Sequence, residues 1–357
     1  MRRVLAAVVS VGIAAAVFAL ALPAVAKYGA VGVELRKLST GWAAGLAAVV
    51  VANVATSAFP WMAALPGLRF GSALRITQAS TALITVLPGG APAGMAASFA
   101  IARSRGINDS QAALAVALTG IWSQLSTFLF PFVALIALAT TGSVPHLVMW
   151  FGLASAATLV LVAAVAAGAL VSTSLARLAE KATRLILARS QRLLRRRPSS
   201  WDEPAAGAWR KHTLRALRAR GAPLTIATLA NQLTAFVILD LSIRAVGIGL
   251  SQLSVADTFA AWSLGRLIES LPLTPGGIGL VELSLVGTLV GFGAPHAPLV
   301  AGVLLYRALV VLPTLAIGTL SIATSRMRRP QNAGAQSKPH AAEQIIHRPR
   351  HRRGKDS

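Results

Sequence analysis

Four ionisable residues stand where an apolar chain should carry none. Arg266 and Glu269 lie three apart on the way into Pro275-Gly276-Gly277, Glu282 follows that triplet, and Arg307 sits inside the apolar run AGVLLYRALVVLP. Charges at membrane depth are costly and by default mark a substrate or ion pathway. Positions three apart share a helix face, so Arg266 and Glu269 can pair. From the residues alone two readings stay open. One is a structural ion pair that fixes helix packing. The other is a site where Arg266 or Arg307 binds an anionic headgroup, while Glu269 and Glu282 balance that charge, select a cationic headgroup or couple to protons. Asp240 and Arg244 are four apart near an interface, where a long side chain reaches water, and take no role.

The backbone supplies the second element of chemistry. Proline removes a donor and glycine relaxes φ, so Pro-Gly-Gly can turn a chain sharply. The same triplet occurs at Pro88-Gly89-Gly90, and Gly106 and Gly293 repeat its offset to Pro275-Gly276-Gly277. Both regions read as short apolar piece, triplet, short apolar piece, glycine, full span. The shared layout predicts an internal duplication. Three expected spans separate the two broken segments, and an odd number makes them enter from opposite faces. That is an inverted repeat, with a substrate site expected near the bilayer midplane. The helix after each triplet would present free N–H groups and a positive dipole end, which suits a phosphate. The helix before it brings its negative end to the same tip, so the N–H donors are what remains. The predicted substrate-binding set is Pro88, Gly89, Gly90, Arg266, Glu269, Pro275, Gly276, Gly277, Glu282 and Arg307.

The elements that must position these residues follow from composition. The 357 residues are 55% hydrophobic and 13% charged, with mean hydropathy +0.66. A soluble chain carries about 25% charged residues. The long apolar runs instead predict an all-α polytopic membrane protein. No cysteine is present, which excludes disulfides, thiolate metal sites and a cysteine nucleophile. The net charge of +23 is concentrated: thirteen Lys/Arg lie between Arg177 and Arg220 and nine between Arg326 and Lys355. Basic blocks beside spans are the positive-inside signal and attract anionic lipid surfaces. No aromatic residues interleave the tail and no zinc or RNP-type motif occurs, so nucleic acid is set aside as a partner.

About six transmembrane helices are expected, at Val4 to Ala26, Ser39 to Trp61, Ser110 to Ala139 (with tilt or a bend at Pro131), Pro145 to Val171, Pro223 to Val246 and Ala297 to Ala323. Two re-entrant helical hairpins are expected at 71–105 and 254–293, because each of their pieces falls short of the ~20 residues a crossing needs. Residues 1–26 read either as a retained span or as a signal peptide cut after Ala24-Val25-Ala26. The expected organisation is a first membrane half over 1–171, a basic cytoplasmic linker over 172–221, a second membrane half over 222–325 and a disordered basic cytoplasmic tail over 326–357. Within the linker, Leu175 to Leu194 fits a surface helix or a solvated segment equally. Both termini then lie in the cytoplasm, and only Lys27, Arg36, Lys37 and Arg244 fall outside.

Other signals carry little. The glycines of PGGIG lack the strand before them and the Lys-Ser/Thr of a nucleotide loop. His347 and His351 sit in the basic tail, no Ser-His-Asp order stands out, and the sequon at Asn108 falls on the cytoplasmic side. No metal or cofactor is implied.

LPLTPGGIGLVE, followed by GFGAP, resembles the second-half signature of the lysylphosphatidylglycerol synthase transmembrane-region family, and TVLPGGAPAG resembles its first-half signature. The resemblance covers roughly Val4 to Ser325. It implies an integral membrane protein that handles lipid, since in fused aminoacyl-lipid proteins this region acts as a flippase beside a separate synthetic domain. Glu282 matches the family's glutamate. The family's first half carries an acidic residue and an arginine soon after Pro-Gly-Gly, where this chain has Gly94 and Ala97. The leading expectation is therefore a lipid flippase of the inner membrane, not an enzyme, moving a phospholipid or a polyprenyl-phosphate lipid. The alternative is a non-transporting accessory or scaffold for a cell-envelope enzyme, bound through the basic block. An enzyme acting on lipid-linked sugars is weaker, for want of a water-facing acid–base pair. The Ala and Gly content permits a homo-oligomer.

Overall fold

Short polar residues start the helices. Ser39 accepts from the Trp42 N–H at the head of helix α1 (Thr40–Thr56), and Asn108 accepts from the Gln111 N–H at the head of α5 (Asp109–Ala139). Ser254 and Asp257 cap each other's backbone at the start of α8 (Val255–Ser270), a reciprocal capping box. The computed structural model describes residues 38–87, 90–140, 146–171, 206–271 and 274–325. The remaining helices are α2 (Phe59–Ala64), α3 (Phe70–Val86), α4 (Ala91–Ser104), α6 (His146–Val171), α7 (Ala206–Ala245), α9 (Leu280–Gly291) and α10 (His296–Ser325), and no strand occurs among the described residues.

Among the described residues, four stretches are long and apolar enough to cross a membrane: Thr40–Ala64, Asp109–Ala139, Ala219–Ala245 and His296–Thr324. The expected first span, the Leu175 to Leu194 segment and the tail lie outside the described residues. The expected span from Pro223 is the later part of α7, which starts at Ala206 and carries Pro223 in its interior. Pro131 likewise lies inside α5 and is buried there.

Two pairs of short helices interrupt this pattern. Helices α3 and α4 pack on each other across residues 87–90, and α8 and α9 pack on each other across residues 271–279. The first pair closes at Gly90 and Gly94. A Cβ on Gly94 would run into the Ile84 side chain and stand 2.9 Å from the Ser80 carbonyl, so no side chain fits between α3 and α4 there.

The two pairs exchange neighbours. The first helix of each packs on the long helix that follows the other: α3 on α10, and α8 on α5. At the first contact a Cβ on Gly318 would stand 2.5 Å from the Gln78 carbonyl oxygen. At the second, Phe130 of α5 meets Phe259 and Trp262 of α8, with ring centroids 5.9 and 5.0 Å apart, and Phe236 of α7 completes the cluster. Close approach through small residues is the usual device where lipid removes the hydrophobic drive between helices. A polar seam fastens α1 to α7: Asn53 Nδ2 donates to the Asn231 carbonyl at 3.1 Å and to Thr234 Oγ1 at 2.9 Å.

The glycine contact makes a stability prediction. Gly318→Ala should lower the denaturation midpoint in detergent, with a cost of about 1–3 kcal/mol for forcing a methyl into a filled space. Gly287→Ala, where nothing stands within 4 Å of the added carbon, should be neutral or stabilising by up to ~1 kcal/mol. Equal midpoints for the two variants would show that α10 does not press on α3 at Gly318.

Candidate functional site

The second helix break is built from a short turn of three residues, Pro275–Gly277, between α8 and α9. Gly276 has φ +56°, and a Cβ there would stand 2.8 Å from the Thr85 carbonyl oxygen. Only glycine meets both conditions, the left-handed backbone and the close approach. Because Thr85 belongs to the end of α3, the second break rests against the end of the first broken pair.

Breaking a helix here leaves backbone groups that lipid cannot satisfy. The sequence supplies two side chains for them. Glu282, in the first turn of α9, accepts from the Gly279 N–H at 2.7 Å through Oε2. Arg307, in the middle of α10, donates from Nη2 to the Gly276 carbonyl at 2.9 Å and from Nε to Glu282 Oε1 at 2.9 Å. One guanidinium thus joins α10, the turn and α9. The Arg307 side chain is 3% exposed and that of Glu282 15%.

Arg266 and Glu269 form a second ion pair one turn before the break, through Nη1 and Oε2. They are the more accessible pair, at 24% and 32% exposure. Glu269 Oε1 also lies 3.8 Å from Arg307 Nη1, so the four charges form one connected group. Two polar atoms beside it are buried without a hydrogen-bond partner: Arg266 Nε and Thr274 Oγ1. A buried polar atom without a partner costs stability, so such atoms mark a place where a ligand or water is expected.

The positions expected from sequence divide accordingly. Arg266, Glu269, Gly276, Glu282 and Arg307 come together around the second break. Gly277 lies against Glu269, its added Cβ standing 3.4 Å from the Glu269 Cα, and Pro275 opens the turn. At the first break, Pro88 and Gly89 lie outside the described residues. Gly90 packs on the end of α3, where an added Cβ would meet the Leu83 carbonyl at 2.7 Å. The backbone donor expected to be open at the start of α9 is occupied by the chain's own Glu282. Thr85 and Thr274 were not among the expected positions. Thr274 adjoins the triplet in LTPGG and could have been included for that reason, whereas nothing in the sequence connects Thr85 to Gly276.

One comparison with known families finds a match over most of the chain. The family model described as lysylphosphatidylglycerol synthase TM region matches residues 6–318. The chain belongs to this family. No curated protein and no solved structure matches it. Membership and the apolar helices make it a membrane protein related to lipid handling. Where the resemblance led one to expect an acidic side chain, Gly94 faces Ile84 and the Ser80 carbonyl at contact distance, which leaves no room for it.

The two ion pairs should respond differently to truncation. Arg307→Ala leaves Glu282 buried with its charge unmatched and should cost about 3–5 kcal/mol. Arg266→Ala opens a partly exposed pair and should cost about 1 kcal/mol or less. Thermal denaturation in detergent distinguishes them, and equal losses would contradict the separate roles.

Proposed function

We propose that this protein is a flippase-like lipid transporter, moving a phospholipid or polyprenyl-phosphate-type lipid between the leaflets of the cytoplasmic membrane. The observation that carries this reading is the Arg266–Glu269 pair. It stands beside a helix break lined with charge, it is the accessible part of the group, and Arg266 keeps an unpartnered buried Nε. Arg307 and Glu282 are engaged with the backbone of the break and with each other, so their part is to hold its shape. Arg266 then takes the phosphate of the headgroup, through the planar donor set that makes arginine suited to phosphate.

The exchange of neighbours between the broken pairs supports an inverted repeat with two re-entrant hairpins. Three long helices, α5, α6 and α7, lie between the pairs among the described residues, an odd number. In such repeats one part rocks against the other around a site near the midplane. The contact of Gly276 with Thr85 is where that movement would have to open. The basic block and tail would sit on an anionic cytoplasmic surface, with both termini on that side.

Leaflet transfer tests the reading. The protein is reconstituted in liposomes with a panel of acyl-labelled fluorescent lipids and exposed to a membrane-impermeant quencher. The wild type should lose signal beyond the outer-leaflet share. Arg266→Gln should slow that loss by roughly 10–100-fold, the factor expected from losing a charge-assisted hydrogen bond of about 1.5–3 kcal/mol. Wild-type rates in a folded Arg266→Gln protein would remove the role of Arg266. Wild-type vesicles indistinguishable from empty ones across the panel would overturn the transport reading.

A further inference from the structure

We propose that the site selects a headgroup that carries one phosphate and one ammonium group and is net neutral. This rests on the transport reading above and narrows its substrate class. The group around the second break contains two arginines and two glutamates, Arg266, Arg307, Glu269 and Glu282, so its formal charges cancel. Arg307 and Glu282 bind the break and each other, and Arg307 is 3% exposed. The more exposed members of the group are one cation and one anion, three residues apart on α8.

That spacing is informative. The charged ends of Arg266 and Glu269 meet at Nη1 and Oε2, so a ligand that engages both must bring a group of each sign close together. A phosphate and an amine joined by two carbons meet that requirement. The phosphate falls to Arg266, whose Nε is buried and unpartnered. The ammonium falls to Glu269. Its Oε2 accepts one hydrogen bond from Arg266, and its Oε1 lies 3.8 Å from Arg307 Nη1, beyond hydrogen-bond distance.

Headgroups of other charge meet a penalty. A headgroup with a phosphate alone places its negative charge beside the Glu269 carboxylate, and repulsion in partly buried surroundings is several times its value in water. A headgroup with excess positive charge meets Arg266 with Arg307 behind it. Selection by mismatched charge is the ordinary route to discrimination between otherwise similar ligands.

The test compares acyl-labelled lipids with identical chains in the liposome assay: phosphatidylethanolamine, phosphatidylglycerol and a polyprenyl monophosphate. Wild-type protein should move the ethanolamine lipid at least about tenfold faster than either anionic lipid, a difference of ~1.4 kcal/mol in the barrier. Glu269→Gln keeps a hydrogen-bond acceptor for Arg266 but removes the negative charge, and should reverse the order in favour of the anionic lipids. If that variant does not fold, the wild-type ratio alone decides. Equal or faster movement of the anionic lipids by the wild type overturns this inference and leaves transport standing. Movement of none of them, by folded protein, overturns transport as well. Release of trapped phosphoethanolamine without lipid transfer would overturn the assignment to a lipid.

Discussion

A helix can be broken inside a membrane only if the backbone groups set free find partners, and here Arg307 is the partner on which the break depends. It reaches across from α10 to the Gly276 carbonyl, and its positive charge is met by Glu282. Glu282 in turn holds the Gly279 N–H. The loop of interactions closes: a carbonyl, a guanidinium, a carboxylate and an amide, all drawn from one short stretch and one facing helix. Each member would be costly alone in apolar surroundings, and each removes the cost of another. The glutamate placed just after Pro-Gly-Gly is thereby explained. It caps the new helix and secures the charge that makes the turn possible.

The two pairs of short helices solve the same problem by different means. In the first, glycines let α3 and α4 approach until no side chain fits between them at Gly94. In the second, ionisable side chains fill the space around the break. Gly276 meets Thr85, so the charged break rests against the end of α3. The aromatic cluster of Phe130, Phe236, Phe259 and Trp262 joins α5, α7 and α8. This division leaves one accessible ion pair, Arg266 with Glu269, in a setting whose other charges are already engaged.

Much of the fold was legible because membrane helices obey simple constraints. Length and hydropathy located α5, α6 and α10 to within a residue or two of their ends. Pro-Gly-Gly and the shortness of the flanking pieces located both broken pairs. Pro223 was misleading as a start signal, since α7 continues through it from Ala206. A proline tolerates a helix interior in a membrane protein when neighbours satisfy the freed carbonyl. The pairing of Arg266 with Glu269 was also legible, because it is local and follows from helix geometry alone.

The pairing of Arg307 with Glu282 was not. The sequence placed both at membrane depth but could not state which way either faced. Helices such as α1 and α6 do not gather their apolar residues on one face, so no hydrophobic stripe reveals the packed side. The same limit hid the contact of Thr85 with Gly276 and the seam from Asn53 to Asn231 and Thr234. What the sequence by itself determined was the inventory: where helices run, where they break, and which charges must find partners. Which partner each charge takes was decided only by the tertiary structure. Partner choice depends on the rotation and crossing of helices distant in the chain, and in lipid those are set by close packing of small residues such as Gly318 and not by a pattern of polarity.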